Sequence, residues 1–339
     1  MRSLFVIAAF AAAFPLGAQA PIFKTPRIDV IDFYGLHQVS ENLIRQALGI
    51  KEGDPLPASK GDAEDKLLDV DRIIESRLEA ICCDDGKTTL YIGIQERDAP
   101  GFEVRAAPGG AVVLSDDLVE AYRRFEQAQH AAELAGKTSE DLSQGHPLMN
   151  DPSARAAQVR FPALVQARLS LLRDVLMNSQ DEYQRGIAAY LLPYATDKAG
   201  IVEDLHTALT DNDSGVRTRA VHGLTGLALL GKANPASRVR VSPAWFLDLL
   251  QSIAWTDRTQ AVWVLEMLTR DRDKPALASI KGNALSSIIE MSRWHSVKDA
   301  YPAFLLIGRV AGMSDVDILD AWLRAGRDST IAKARAANK

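Results

Sequence analysis

Residues 181–230 read DEYQRGIAAYLLPYATDKAGIVEDLHTALTDNDSGVRTRAVHGLTGLALL. Three apolar stripes run through this stretch. Ile187, Ala188, Leu191 and Leu192 form the first; Ile201, Leu205, Ala208 and Leu209 the second; Val216, Ala220, Leu224, Leu227 and Ala228 the third. Steps of three, four, seven and eight place each set on one side of a helix of about 3.6 residues per turn. Pro193 and Thr196-Asp197-Lys198 end the first helix, because proline cannot continue the hydrogen-bond ladder. The polar turn Asp211-Asn212-Asp213-Ser214-Gly215 precedes the third. Helices this short cannot bury their stripes alone, so each needs a neighbour stacked on it, as in an α-solenoid.

Arg185-x-x-Ala188-Ala189, and Val216-Arg217-x-x-Ala220 behind Leu209-x-Asp211-x-Asp213, resemble HEAT repeats of the bacterial HEAT-like type. The resemblance implies paired antiparallel helices, a turn aspartate bonding free N–H groups, and arginines laddering between neighbours. It covers about one and a half repeats, and residues 154–330 are expected to form the all-α HEAT-like domain.

The 339 residues suffice for two domains. Charged residues make up 24% and apolar ones 47%, ordinary for a globular chain. A net charge of -5 leaves no basic footprint for nucleic acid. Arg2, the apolar run Leu4 to Leu16 broken by Pro15, and Ala18-Gln19-Ala20 read as a secretory signal peptide, residues 1–20, cleaved after Ala20. That run is too short to span a bilayer and no later segment approaches the length needed, so a periplasmic or secreted protein without membrane insertion is expected.

Residues 21–97 read as an α+β unit. Ile28-Asp29-Val30-Ile31-Asp32-Phe33 is strand-like, with a slip in its alternation that fits a bulge or burial on both faces. Ser40 caps a helix through Leu43, Ile44, Ala47 and Leu48 to a stop at Gly49, and a second helix carries Ala63, Leu67 and Leu68. A hairpin follows, Ile74, Leu78, Ala80 and Cys82 alternating on one strand and Leu90, Ile92 and Ile94 on the other, turned at Asp85-Gly86. The order β-α-α-β-β, with Gly35, Val39-Ser40, Gly53-Asp54 and Ile92-Gly93-Ile94-Gln95-Glu96-Arg97, is similar to a POTRA domain. That resemblance implies polypeptide binding by strand addition; with a single such unit and no barrel, only the free sheet edge carries over.

Residues 98–153 are expected to hold a hairpin (Phe102-Glu103-Val104 with Ala111 to Leu114), a helix from Ser115 to a stop at Gly136, and a polar loop. One long helix from Arg155 to Met177 follows. Beyond the central repeats, stripes at Phe246 to Ile253, Ala261 to Leu268, Leu277 to Met291, Phe304 to Ala311, and Ile318, Leu319, Trp322 and Leu323 mark further helices, with residues 331–339 as a tail.

The adjacent Cys82-Cys83 is the most unusual local feature. Consecutive Cα atoms lie about 3.8 Å apart, below the roughly 4.4–6.8 Å of an ordinary bridge. A redox pair, two unpaired or oxidised thiols with Cys82 in the core and Cys83 outside, and an intermolecular bridge through Cys83 all stay open. His37, His130, His146, His206, His222 and His295 are scattered, without H-E-x-x-H or any His-Glu dipeptide. The Asp211–Gly215 turn lacks the spacing of a calcium loop, whose twelfth position falls on His222. No catalytic, metal or cofactor constellation emerges. Trp245, Trp255, Trp263, Trp294 and Trp322 gather in the last third, where a surface indole would anchor a partner. The expected function is a non-catalytic protein-binding scaffold of the cell envelope. The alternatives are a HEAT-like enzyme of the phycobilin-lyase kind and a thiol-based stress sensor at Cys82-Cys83.

Overall fold

The computed structural model describes residues 26–84 and 86–337, the side chains of Cys83 and Asp84 excepted. The signal-peptide segment, Asp85 of the hairpin turn and residues 338–339 lie outside the described residues. The described residues are mostly helical, with one three-stranded and one two-stranded sheet among them.

The N-terminal unit runs β1 (Val30–Tyr34), α1 (Glu41–Leu48), α2 (Lys60–Leu68), β2 (Ile73–Asp84) and β3 (Lys87–Glu96). The Ser40 side chain accepts the Leu43 N–H at the start of α1, and Gly49 closes it at φ 65°, a conformation that costs glycine little. Strand order is β1-β3-β2, with β1 parallel and β2 antiparallel to the central β3. Leu90, Ile92 and Ile94 of β3 join Ile31, Phe33, Ile44, Leu48, Ala63 and Leu67 in a core between sheet and helices.

Alternation on β2 departs from expectation. A register shift between Ile73 and Glu75 turns Ile73 inward and leaves Ile74 54% exposed. Leu78 stays buried, whereas Ala80 and Cys82 are exposed, so Cys82 is not core. The bulge resets the face of Ile74; Ala80 and Cys82 keep the parity of Leu78 and lie outside that core, and a second register shift follows between Ile81 and Asp84.

Residues 98–114 form no hairpin. They are an extended strap laid across inter-helix turns: Arg105 N–H donates to Thr210 O at 2.7 Å, Gly110 N–H to Asn178 O at 2.8 Å, and Gln180 N–H back to Gly110 O at 2.8 Å. Pro100 and Pro108 cannot donate to a ladder, and the remaining donors find carbonyls at the helix ends instead.

Helix α3 (Asp116–Leu134) ends as expected before Gly136, φ 70°. The expected loop contains a short hairpin, β4 (Glu140–Asp141) and β5 (Leu148–Met149), with Leu148 and Met149 buried. The single helix expected over Arg155 to Met177 is two, α4 (Pro152–Gln158) and α5 (Phe161–Asn178), split ahead of Pro162, with a kink at Arg168 inside α5. Then come α6 (Glu182–Leu191), α7 (Val202–Ala208) and α8 (Ser214–Ala233). The helix expected around Phe246 to Ile253 is a pair of 3-10 turns, Pro243–Phe246 and Asp248–Gln251. The remainder is α9 (Trp255–Leu268), α10 (Lys274–Asn283), α11 (Leu285–Met291), α12 (Val297–Val310), α13 (Asp315–Leu323) and α14 (Arg327–Ala336). The stripe from Leu277 to Met291 is thus broken at Ala284, φ -134°. The expected tail is helical to Ala336, because Thr330, Ile331 and Ala334 bury one face.

Helices α5, α6, α8, α9 and α12 pack each on the next, with α7, α11, α13 and α14 flanking, around one apolar core. Tyr34 and Tyr91 belong to that core, although they come from the sheet. A Cβ on Gly93 would sit 2.5 Å from the Tyr34 ring and 2.6 Å from Ile253 O, so the sheet's second face lies directly on the helices. β3 is consequently buried on both sides, which its unbroken run Leu90-Tyr91-Ile92-Gly93-Ile94 permits.

Buried ion pairs tie these helices in series. Arg185 donates to Asp211 from Nε and Nη2 at 3.0 and 2.9 Å, and Arg105 of the strap reaches the same carboxylate at 2.5 Å. Arg217 donates to Asp257 at 2.7 Å and to Asp211 O at 2.7 Å. Arg258 donates to Ser252 O at 2.5 Å and Glu290 at 2.8 Å, and Glu290 in turn accepts the Gly35 N–H at 2.8 Å. The series ends in the N-terminal unit.

Candidate functional site

A groove of about 760 Å³ opens between α3, α8 and α9, with β4, α6 and the start of α12 along its margins. Periodicity places its lining. While Val216, Ala220, Leu224 and Leu227 of α8 face the core, Thr218, His222 and Thr225 occupy the opposite side. On α9, Ala261, Leu265 and Leu268 turn inward, and Thr256, Thr259, Gln260, Trp263 and Met267 turn to the groove. Helix α3 contributes Tyr122, Phe125, Glu126 and Gln129 at steps of three, one and three.

The floor is aromatic. Tyr190 meets Tyr122 edge-on at 5.3 Å and stacks on Phe125 at 5.0 Å. Trp263, 45% exposed, is the one exposed tryptophan among the described residues. Trp245, Trp255 and Trp322 are half-buried and Trp294 is core. The rim is polar and internally paired: Arg219 donates to the Tyr122 hydroxyl at 3.2 Å, Tyr183 to Glu126 at 2.7 Å, and Gln260 to Thr218 at 3.2 Å. His222 Nε2 lies 2.5 Å from Glu140. Desolvation raises the Tyr122 phenol above its ordinary value, outweighing the neighbouring Arg219, so it stays protonated.

A smaller cavity of about 220 Å³ adjoins one end and shares Trp255, Lys298 and Asp299 with the groove. Cys82 lines it and is disulfide-bonded, in place of the unpaired thiol among the expected states. The chain's other cysteine is Cys83. Tyr91 donates to Asp299 at 2.8 Å in the wall.

A third cavity, about 620 Å³, lies on the seam between β1 and α11. There Asp32 accepts the His295 backbone N–H at 2.9 Å and sits 2.7 Å from its Nδ1. Burial raises the Glu290 carboxyl above its usual range despite Arg258 and the Gly35 N–H. Glu96 is also buried, yet the N–H groups of His37, Val39 and Gln38 hold it below that range and fix the entry to α1.

The remaining histidines have structural surroundings or face solvent. His206 stacks on Trp245 at 4.0 Å, and His146 lies 3.0 Å from Lys198 Nζ and 4.6 Å from the Tyr194 ring. His130 is exposed on α3. Among the described residues no three His, Cys, Asp or Glu side chains converge as a metal site. In the Asp211–Gly215 turn, Asp211 is taken up by arginines and Asp213 by the Val216 N–H. Sequence reading named Trp263 only as one of five indoles and passed over Tyr122, Phe125 and Tyr190. Their convergence depends on how α3 docks on α6, which no local pattern encodes.

The chain has no significant match to any known protein family, curated protein or solved structure.

Proposed function

We propose that this chain is an exported, non-catalytic scaffold that binds an extended polypeptide in the groove between α3, α8 and α9. One observation carries the reading. Three helices turn aromatic and hydrogen-bonding side chains into a single concave surface, Glu126, Glu133 and Arg219 among them, and its lining includes the exposed indole of Trp263. Aromatic floors take up apolar side chains, threonine and glutamine serve peptide amides, and exposed tryptophans concentrate binding energy. The ionic groups of the rim mostly neutralise one another, so the preferred segment carries little net charge.

In this reading the helical part is a HEAT-like solenoid. The serial pairs Arg185–Asp211 and Arg217–Asp257, with Asp213 capping α8, support it. The α+β unit is POTRA-like, supported by its β1-β3-β2 order and both helices on one face. Strand addition at β2 is a lesser contribution. Glu64 accepts the outward Leu78 N–H at 2.7 Å and Lys60 pairs with Glu79, which blunts that edge. The chain acts in the periplasm or outside the cell after cleavage behind Ala20.

Site-specific photocrosslinking in the native envelope tests the groove. A photoreactive phenylalanine at Trp263 captures a discrete polypeptide, whereas the same group at Val159, 59% exposed and outside the groove lining, does not. Trp263→Ala weakens the recovered complex by about 30-fold or more, the loss of a hot spot worth roughly 2 kcal/mol. Equal capture at both positions, or none at Trp263, overturns the assignment.

A further inference from the structure

The last helices carry an apolar surface that the fold leaves uncovered. On α13, Ile318 is fully buried against Gly308 of α12, where an added Cβ would stand 2.3 Å from the Ile318 side chain. Trp322, one turn on, packs on Tyr301 and Phe304 at 5.2 and 5.3 Å. This is the helix's inward side. Val316, Leu319 and Leu323 fall at steps of three and four on another side and are 78%, 45% and 73% exposed. Stacked helical arrays ordinarily end in a unit with a polar outer face; α13 has an apolar seam instead.

Charge along the helix identifies the occupant. Asp315, Asp317 and Asp320 occupy its first two turns, and Arg324 follows its end. Asp320 and Arg324 flank the seam on one side, pair at 2.8 Å within the chain, and remain 52% and 79% exposed. An antiparallel copy about a two-fold axis near Trp322 sets Leu319 against Leu323 of the second chain. The same axis sets Asp320 against its Arg324. A second copy thus meets each exposed charge of this pair with the opposite one. We propose that α13 is a self-association surface and that two copies of this chain pair antiparallel through Leu319 and Leu323, with Val316 lying over the turn that follows the second copy's Arg324. Isologous contacts of this kind close on themselves, so association stops at the dimer.

Sedimentation velocity on the full mature chain tests this over about two decades of concentration, since a small seam dissociates on dilution. The expected result is a monomer–dimer equilibrium. Leu323→Glu abolishes it while circular dichroism stays unchanged, because that side chain contacts solvent in the monomer. Asp320→Arg and Arg324→Asp, each alone, weaken self-association by about 10-fold or more through facing like charges. An equimolar mixture of those two variants forms a heterodimer. A chain that stays monomeric throughout overturns the proposal. So does a dimer indifferent to Leu323→Glu, or folded charge variants that fail to recover on mixing.

Discussion

Asp211 is shared by two arginines, Arg185 and Arg105, and removing its carboxylate has a calculable consequence. Its side chain is 0% exposed and accepts from Arg185, itself 1% exposed, from Arg105 and from the Asp213 N–H. Burial alone would raise this carboxyl; the hydrogen bonds from Arg185, Asp213 and Arg105 outweigh it and hold it below the usual aspartate value. Asp211→Ala strands the Arg185 guanidinium in the core, and breaking a buried pair from one side costs about 3–5 kcal/mol. At roughly 2–3 °C per kcal/mol for a chain of this size, the melting temperature falls by about 6–15 °C. Glu120→Ala, which removes an exposed pair with Arg124, costs under about 1 kcal/mol. Replacing both partners, Asp211→Leu with Arg185→Met, recovers part of the loss, since the fully buried guanidinium goes with its carboxylate and only Arg105, 20% exposed, is left without it. The depressed carboxyl adds a pH signature. Its contribution is complete above the unfolded aspartate value and disappears as pH falls through the lower folded one, so wild type and Asp211→Ala converge in strong acid. Differential scanning calorimetry measures each quantity. An Asp211→Ala shift no larger than that of Glu120→Ala refutes the reasoning.

Further outcomes follow from the packing. Burial and then Lys198 push the His146 imidazole down to about 4, so the unfolded chain takes up a proton that the folded chain refuses. Stability therefore drops by on the order of 3 kcal/mol as pH falls from about 6.5 toward 4. His146→Phe, which keeps a ring against Tyr194, removes that part of the pH dependence in urea-unfolding midpoints. Gly93→Ala forces a Cβ to within 2.6 Å of Ile253 O and destabilises by roughly 1–3 kcal/mol; faster proteolysis between the α+β unit and the helices reports it. Gly308→Ala pushes on Ile318 and loosens α13 without moving the groove, so hydrogen exchange accelerates in α13 and α14 while α8 and α9 are unchanged.

What the sequence made legible was local. Ser40 and Gly49 bounded α1, Gly136 ended α3, and the stripe Ala261-Val264-Leu265-Leu268 turned to the core, because caps and periodicity act within a few residues of themselves. Reading failed where a distant partner decides the outcome. The strap at residues 98–114 has strand-like composition, but its donors are satisfied by carbonyls of α5 and the turn after α7. Leu319 and Leu323 look as apolar as Ile318, and only the docking of α12 selects which side of α13 is buried. Ile74 was misplaced by one bulge. Helix breaks at Pro162 and Ala284 differ in kind: the first was written in the sequence, the second in the tertiary packing. The groove needed long-range information throughout, since its lining joins Phe125, Tyr190 and Trp263 from three separate helices.

The same long-range contacts join the two halves of the chain. The sheet's second face could have stayed open to solvent; instead Tyr34 donates to Ile253 O at 2.6 Å, and Trp294 lies 5.5 and 5.0 Å from the Tyr34 and Tyr91 rings. Arg258 stacks over Tyr34 at 4.7 Å while bonding Glu290, whose carboxylate holds the Gly35 N–H. Tyr91 then reaches Asp299, which lines the end of the groove. Strand β3 therefore supports the groove through Asp299, and the sheet itself lines the smaller adjoining cavity with Ile81, Cys82, Thr89 and Tyr91. It follows that deleting residues 26–97 would uncover Trp255 and Trp294 together, since both pack on Tyr91. The helical part alone would lose the Tyr91 hydroxyl that holds Asp299 at the groove's end.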